Sequence, residues 1–316
     1  MTAPRDVTVS SASGRGAAES TARGPCAAWL HEHWSAVGKG TLAVVGFWWL
    51  VTGVIVALQR NEWTKLAAWT ISTGVAIYSV YVIHAQRTDR TAASARRTFL
   101  ASTAVWMWIN VGLYGGWIVG PGRAASVAGE ANLLRATEAI TALLWHELLC
   151  VLMLLVTWLH VRRSTNRLAF AALATYWAVL QVAKLNIFFG VANPGARFLP
   201  PHLQFLLSYY GPPTNSDLLP LSFFAAVGVA LIFWWNGWQA KDAFLRQSRA
   251  LLAMLIALAA VEYLLLAVHS QAPLWEVFLK ARGYGMPCVA GRRRLLSRSA
   301  DNRALSVVNP LATVRT

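Results

Sequence analysis

Seven stretches of roughly 20 mostly apolar residues alternate with short polar segments. Their approximate limits are Thr41–Leu58, Leu66–His84, Phe99–Val119, Ala139–Val161, Leu168–Gly190, Leu218–Trp238 and Leu251–His269. An α-helix rises 1.5 Å per residue, so each stretch is long enough to cross a bilayer core. Strict apolar–polar alternation, the mark of a membrane barrel, is absent. The pattern predicts an all-α fold: a polytopic membrane bundle of about seven transmembrane helices. A short amphipathic helix, lying in the interface, is expected between the fifth and sixth.

Residues 1–38 are rich in Ser, Ala, Gly and Arg and hold no apolar run. They read as a mobile N-terminal extension. They lack the apolar core of a secretory signal, so the first span is expected to be retained. The transmembrane domain is placed at 39–279. Residues 280–316 read as a basic, disordered tail that includes Arg292, Arg293 and Arg294. Contact of that tail with lipid headgroups is the alternative.

Composition removes several function classes. The chain is 56% hydrophobic and 13% charged, against about 25% charged in ordinary soluble domains. A disordered protein is excluded. Cys26, Cys150 and Cys288 are too few and too scattered for a disulfide framework or a metal site. The net charge of +15 alone would suit a nucleic-acid binder, but the apolar fraction would not. Counted by side, 14 Lys and Arg flank the N-terminus and even-numbered loops, against five in the opposite loops. The positive-inside rule then puts the N-terminus in the cytoplasm.

Ionisable residues inside a span are costly and point to function. His146 and Glu147, then Lys184 and Asn186, then Glu262 fall in the fourth, fifth and seventh spans, at a shared depth below one surface. Pairing of Glu147 with Lys184, or of Lys184 with Glu262, would neutralise the lone charges. Such a pair could fix helix register, line a proton or substrate path, or contact a pigment or partner. His146 could ligate the magnesium of a chlorophyll-type pigment or be hydrogen-bonded within the bundle. The run His146-Glu147-Leu148-Leu149-Cys150 has Cys where a zinc protease needs its second His, so no metal site is read there.

The loop from Asn193 through Phe198, Pro200, Pro201 and His202 to Tyr209 and Tyr210 is distinctive. Pro200–Pro201 suits a helix start. Leu203, Leu206, Leu207 and Tyr210 then recur on one side, as in an amphipathic helix. The segment reads as a docking platform or as a cap packed on the bundle. The frequent Trp residues, among them Trp106, Trp108, Trp145, Trp177 and Trp235, suit interfacial anchoring and helix packing.

These residues carry a resemblance. Ala183-Lys184-Leu185-Asn186-Ile187-Phe188-Phe189-Gly190-Val191-Ala192-Asn193, continuing through Phe198-Leu199-Pro200-Pro201-His202-Leu203 to Ser208-Tyr209-Tyr210, is similar to the photosynthetic complex assembly protein 2 family (PuhE) of anoxygenic phototrophic bacteria. Phe47-Trp48-Trp49-Leu50-Val51-Thr52-Gly53 and Trp145-His146-Glu147-Leu148 fit the same family. Thr214–Pro220 departs from it, as do both termini. The resemblance spans roughly residues 44–280. It implies a multi-pass protein of the bacterial inner, photosynthetic membrane, encoded beside reaction-centre H-subunit genes. Such a protein helps to build the reaction centre and core light-harvesting complex. Reaction-centre subunits, light-harvesting polypeptides and bacteriochlorophyll are the implied partners. No catalytic residues carry over, so a non-enzymatic assembly factor is expected. A membrane enzyme acting on pigment or lipid, or a pigment or ion carrier, would use the charged cluster instead.

Overall fold

The computed structural model describes residues 45–46, 48–122, 132–268 and 276–283. Among these residues every regular element is helical. Helix α1 covers Trp48–Leu58. It is followed by α2 (Glu62–Gln86), α3 (Ala92–Tyr114), α4 (Asn132–Ala142), α5 (Leu144–Val161) and α6 (Leu168–Phe189). Two 3₁₀ helices, Ala196–Phe198 and Pro201–Tyr209, precede α7 (Leu218–Trp238), α8 (Ala243–Ala267) and α9 (Glu276–Ala281). Five helices, α2, α5, α6, α7 and α8, are long and apolar enough to cross a membrane. They mark the chain as a multi-pass membrane protein.

Helix limits follow local capping. At the start of α2, Asn61 accepts from Thr64 N at 2.9 Å and Thr64 Oγ1 accepts from Asn61 N at 3.2 Å. This reciprocal box moves the start of the second span back from Leu66. Thr91 caps α3 and Asp242 caps α8 through backbone N–H groups. Both helices therefore begin before their apolar runs, expected from Phe99 and Leu251. Helix α3 also ends early, at Gly115 and Gly116, where Gly116 has φ 83°.

The fourth expected span is two helices. Leu143 leaves helical geometry, with φ −112° and ψ 13°, and separates α4 from α5. The loop after α3 enters the break. Gly120 N donates to Ala142 O at 2.8 Å. A Cβ on Gly120 would lie 1.8 Å from Thr141 O, so only glycine brings the backbone this close.

Helix α3 sits at the centre and packs against α2, α5, α6 and α8. It is 23 residues long but is not among the apolar candidates, because it carries Ser94, Thr98, Ser102, Thr103 and Asn110. These polar groups are satisfied locally. Ser102 donates to Thr98 O at 2.8 Å, Thr103 to Phe99 O at 2.9 Å, and Asn110 to Trp106 O at 2.9 Å. Thr103 also shares a hydrogen bond with Tyr176 of α6 at 2.8 Å. Back-bonding of this kind makes a polar helix tolerable in an apolar interior. Tryptophans finish the packing. Trp106 stacks on Tyr176 at 5.5 Å, and Trp108 stacks on Trp69 of α2 at 5.3 Å. Trp145 and Trp235 face outward.

At one end the loops after α2, α5 and α7 are tied together. Asn166 is buried. Its amide lies 3.0 Å from both Gln86 O and Thr98 Oγ1, and its Oδ1 accepts from Leu168 N at 3.1 Å. Arg90 donates to Thr165 O at 3.0 Å and to Asp242 Oδ2 at 2.5 Å. That guanidinium holds the Asp242 carboxyl below its usual range. Sequence reading overlooked Asn166, since a lone Asn in a loop carries no spacing signal. Replacing it with Ala strands several buried partners and is expected to cost about 2 kcal/mol. Thermal unfolding in mild detergent will show this as a lowered midpoint; an unchanged midpoint would refute it.

Candidate functional site

Helices α5 and α6 pack together near the end of the bundle opposite Asn166. Glu147 lies in the first turn of α5, not two turns deep, because the break at Leu143 starts the helix late. A carboxylate is favoured there by the unsatisfied N–H groups of the helix start. Lys184 of α6 donates directly to Glu147 Oε1. Gln181, one turn earlier, donates to the other oxygen, Oε2, at 2.8 Å. Both carboxylate oxygens are thus engaged, which helps this half-buried ion pair to offset lost hydration. The Glu147–Lys184 pairing expected from sequence is formed. Among the described residues Lys184 makes no ion pair with Glu262. Gln181 was missed because it is uncharged. Its place three residues before Lys184 put it on the same helical face.

His146 is fully enclosed, at 0% exposure. Its Nδ1 is 3.5 Å from Glu147 Oε1. Its Nε2 is 3.8 Å from Cys150 Sγ, one turn along the same helix. A pigment macrocycle could reach either nitrogen only if these side chains moved aside. Asn186, also at 0% exposure, points elsewhere. Its amide donates to Val182 O at 2.9 Å and to Ser222 Oγ of α7 at 3.0 Å. It joins α6 to α7 and is not part of the Glu147 site.

Glu262 of α8 is separate again. It lines a cavity of about 210 Å³ between α1, α3, α6 and α8. Trp106, Tyr176, Asn110 and Tyr114 share that wall. The shared-depth cluster is therefore three sites. Depth along a helix fixes height only; the direction around each helix axis separates these groups.

The loop after α6 is a cap. Asn193 N donates to Leu266 O at 2.9 Å, and its amide to Leu265 O at 3.2 Å, which ties the loop to the end of α8. His202 Nε2 lies 2.8 Å from Tyr114 O at the end of α3. Pro200 O accepts from Leu203 N at 2.9 Å and opens the second 3₁₀ helix, with Pro201 as its first residue. Three residues per turn align positions three apart. Accordingly Leu203, Leu206 and Tyr209 are the buried face, packed with Val119 and Ala142. The α-helical reading had grouped Leu207 and Tyr210 with Leu203 and Leu206; the tighter helix replaces them with Tyr209. Burial and the nearby Tyr114 raise the Tyr210 phenol.

The loop is closed from outside by α9. Phe278 meets Trp49 of α1 edge-on at 5.2 Å. Buried Arg282 donates to Phe198 O at 2.9 Å and to Arg197 O at 2.7 Å. Residues 280–283, assigned from sequence to the basic tail, thus belong to this helix and its turn. The rest of that tail and the extension 1–38 lie outside the described residues.

Comparison with known proteins gives two findings. A curated relative from Rhodobacter capsulatus, described as an uncharacterized 30.4 kDa protein in the puhA 5′ region, is 27% identical over 186 residues. The alignment covers 57% of this chain and 68% of the relative. No solved structure matches the chain. The family described as "Protein of unknown function (DUF3623)" matches residues 35–284. That span takes in every described helix, and the chain belongs to the DUF3623 family.

Proposed function

We propose that the chain is a non-enzymatic assembly factor of the photosynthetic inner membrane. It acts by binding subunits of the bacterial reaction centre and core light-harvesting complex, and bacteriochlorophyll itself. The observation that carries this reading is the similarity to a protein described by its place in the puhA 5′ region. The motif from Ala183 to Tyr210 supports it, through its resemblance to the photosynthetic complex assembly protein 2 family.

In this reading the bundle has seven spans, with α1 and α3 joining the five apolar helices. Helix α3 connects ends that must lie on opposite sides. The excess of Lys and Arg around Arg87–Arg97, Arg162–Arg167 and Lys241–Arg249 supports a cytoplasmic N-terminus. The platform for subunits is the exposed side of the cap, where Pro201, His202 and Gln204 face outward.

Deletion of the gene in a phototrophic host tests the proposal. Assembled core complex should fall several-fold, by absorption of isolated membranes, while free pigment is still made. Normal complex levels would refute it. Build-up of one chemical precursor would favour the second reading, an enzyme acting on pigment or lipid. The observation behind that reading is Glu262, an acid that faces a cavity and has no ion-pair partner among the described residues.

A further inference from the structure

The two intramembrane glutamates are treated differently. Glu147 has Lys184 and Gln181. Among the described residues Glu262 has no ion-pair partner, although it lies in the apolar helix α8, five residues before its end at Ala267. An acidic side chain at membrane depth is expensive, and one that faces an internal cavity marks a candidate binding site. What surrounds it is informative. The cavity walls include the Trp106 and Tyr176 rings and the Tyr114 phenol, and the polar groups Asn110 and Thr52 also line it. Trp106 and Tyr176 stack on each other, and aromatic rings beside a carboxylate favour an organic cation, since an open ring face attracts positive charge. The Asn110 amide donates one N–H to Trp106 O, and its carbonyl oxygen can serve as a further acceptor.

Size narrows the choice. About 210 Å³ is below the roughly 300–1,000 Å³ of pockets for drug-sized ligands. It is far too small for a tetrapyrrole ring and suits one small headgroup. Height narrows it further. Tyr114 is the last residue of α3, and Glu262 is five residues from the end of α8, or about 7.5 Å at 1.5 Å per residue. The cavity therefore lies close to the end of the bundle, within reach of the headgroup layer.

We propose that the cavity between α1, α3, α6 and α8 binds an ammonium group against the Glu262 carboxylate and the rings of Trp106, Tyr114 and Tyr176. The ammonium comes from an amine-bearing phospholipid headgroup or from a free small amine. This site is independent of the assembly reading and would stand if that reading failed.

The full-length chain, purified in mild detergent, provides the test. One arm titrates tetramethylammonium chloride against sodium chloride at equal ionic strength and follows the unfolding midpoint. The other arm measures lipids retained by native mass spectrometry after exposure to phosphatidylethanolamine or phosphatidylglycerol. Wild type should show a saturable rise in midpoint with the amine. If the source is a lipid, it should also keep one phosphatidylethanolamine. Glu262→Gln should weaken either effect at least tenfold, and Tyr114→Phe about two- to threefold. Glu262→Gln keeps the shape and removes the charge, so its ligand-free midpoint should match or exceed that of wild type. The proposal would be overturned by no saturable amine effect on wild type, by equal binding to Glu262→Gln, or by preferential retention of phosphatidylglycerol. A ligand-free midpoint lowered in Glu262→Gln would also overturn it, by showing that the carboxylate already has a structural partner.

Discussion

Lys184→Met is expected to destabilise the bundle by about 3 kcal/mol, because it leaves the half-buried Glu147 carboxylate without its cation. The effect should exceed that of an ordinary interhelical hydrogen bond in a membrane protein, roughly 0.6 kcal/mol on average. Glu147→Gln leaves Lys184 stranded and should cost a similar amount. The double variant Glu147→Gln, Lys184→Met removes both charges. It should recover about 2 kcal/mol relative to the sum of the single changes. Equilibrium unfolding in mixed detergent would measure the cycle. Strict additivity of the two single variants would show that the contact contributes no coupling. Gln181→Leu should cost less, since Lys184 still holds Glu147 Oε1.

The second large effect is expected at Gly190, which ends α6 with φ 124° and ψ 132°. Only glycine adopts this backbone region without strain. The neighbours leave no latitude. A Cβ there would lie 2.8 Å from both Pro212 O and Thr214 O. Gly211 crosses at the same point, its N–H donating to Ile187 O at 2.9 Å, while Gly190 O accepts from Ser216 N at 3.0 Å. Gly190→Ala therefore adds backbone strain of about 1–3 kcal/mol to steric displacement of the strap from 211 to 216. Yield of folded protein should fall sharply, and limited proteolysis should cut within the cap. Gly228→Ala is the control. Nothing lies within 4 Å of its Cβ position in α7, so it should gain up to about 1 kcal/mol from helix propensity. A stable Gly190→Ala variant with an intact cap would refute the reading.

Apolar run length located the helices well, since burial in lipid is a property of the whole run. It did not locate their breaks. Residues 139–161 read as one span because Leu143 and Leu144 are both apolar. What interrupts them is Gly120, more than 20 positions earlier in sequence. The 3₁₀ cap was legible as a short amphipathic helix, but its period was not. Leucines at 203, 206 and 207 satisfy either spacing, and Tyr209 decides between them only once it is buried. At the site, the Glu147–Lys184 pair was legible from charge and depth together. Asn186 and Glu262 shared the depth and not the direction. Nothing in a single sequence states how one helix is rotated against another.

The polarity of α3 has a consequence for how the protein reaches its bilayer. A segment with Ser94, Thr98, Ser102, Thr103 and Asn110 gains little by leaving the insertion machinery for lipid on its own. Its strongly apolar neighbour α2, joined by a five-residue turn and tied to it through Trp108 Nε1 and Thr73 Oγ1 at 3.0 Å, can carry it in as a hairpin. The remaining partners on α5, α6 and α8 are made later in translation. Between those events the Ser, Thr and Asn side chains of α3 face lipid or a chaperone, so the helix at the centre of the finished protein is the one most exposed to failure during synthesis.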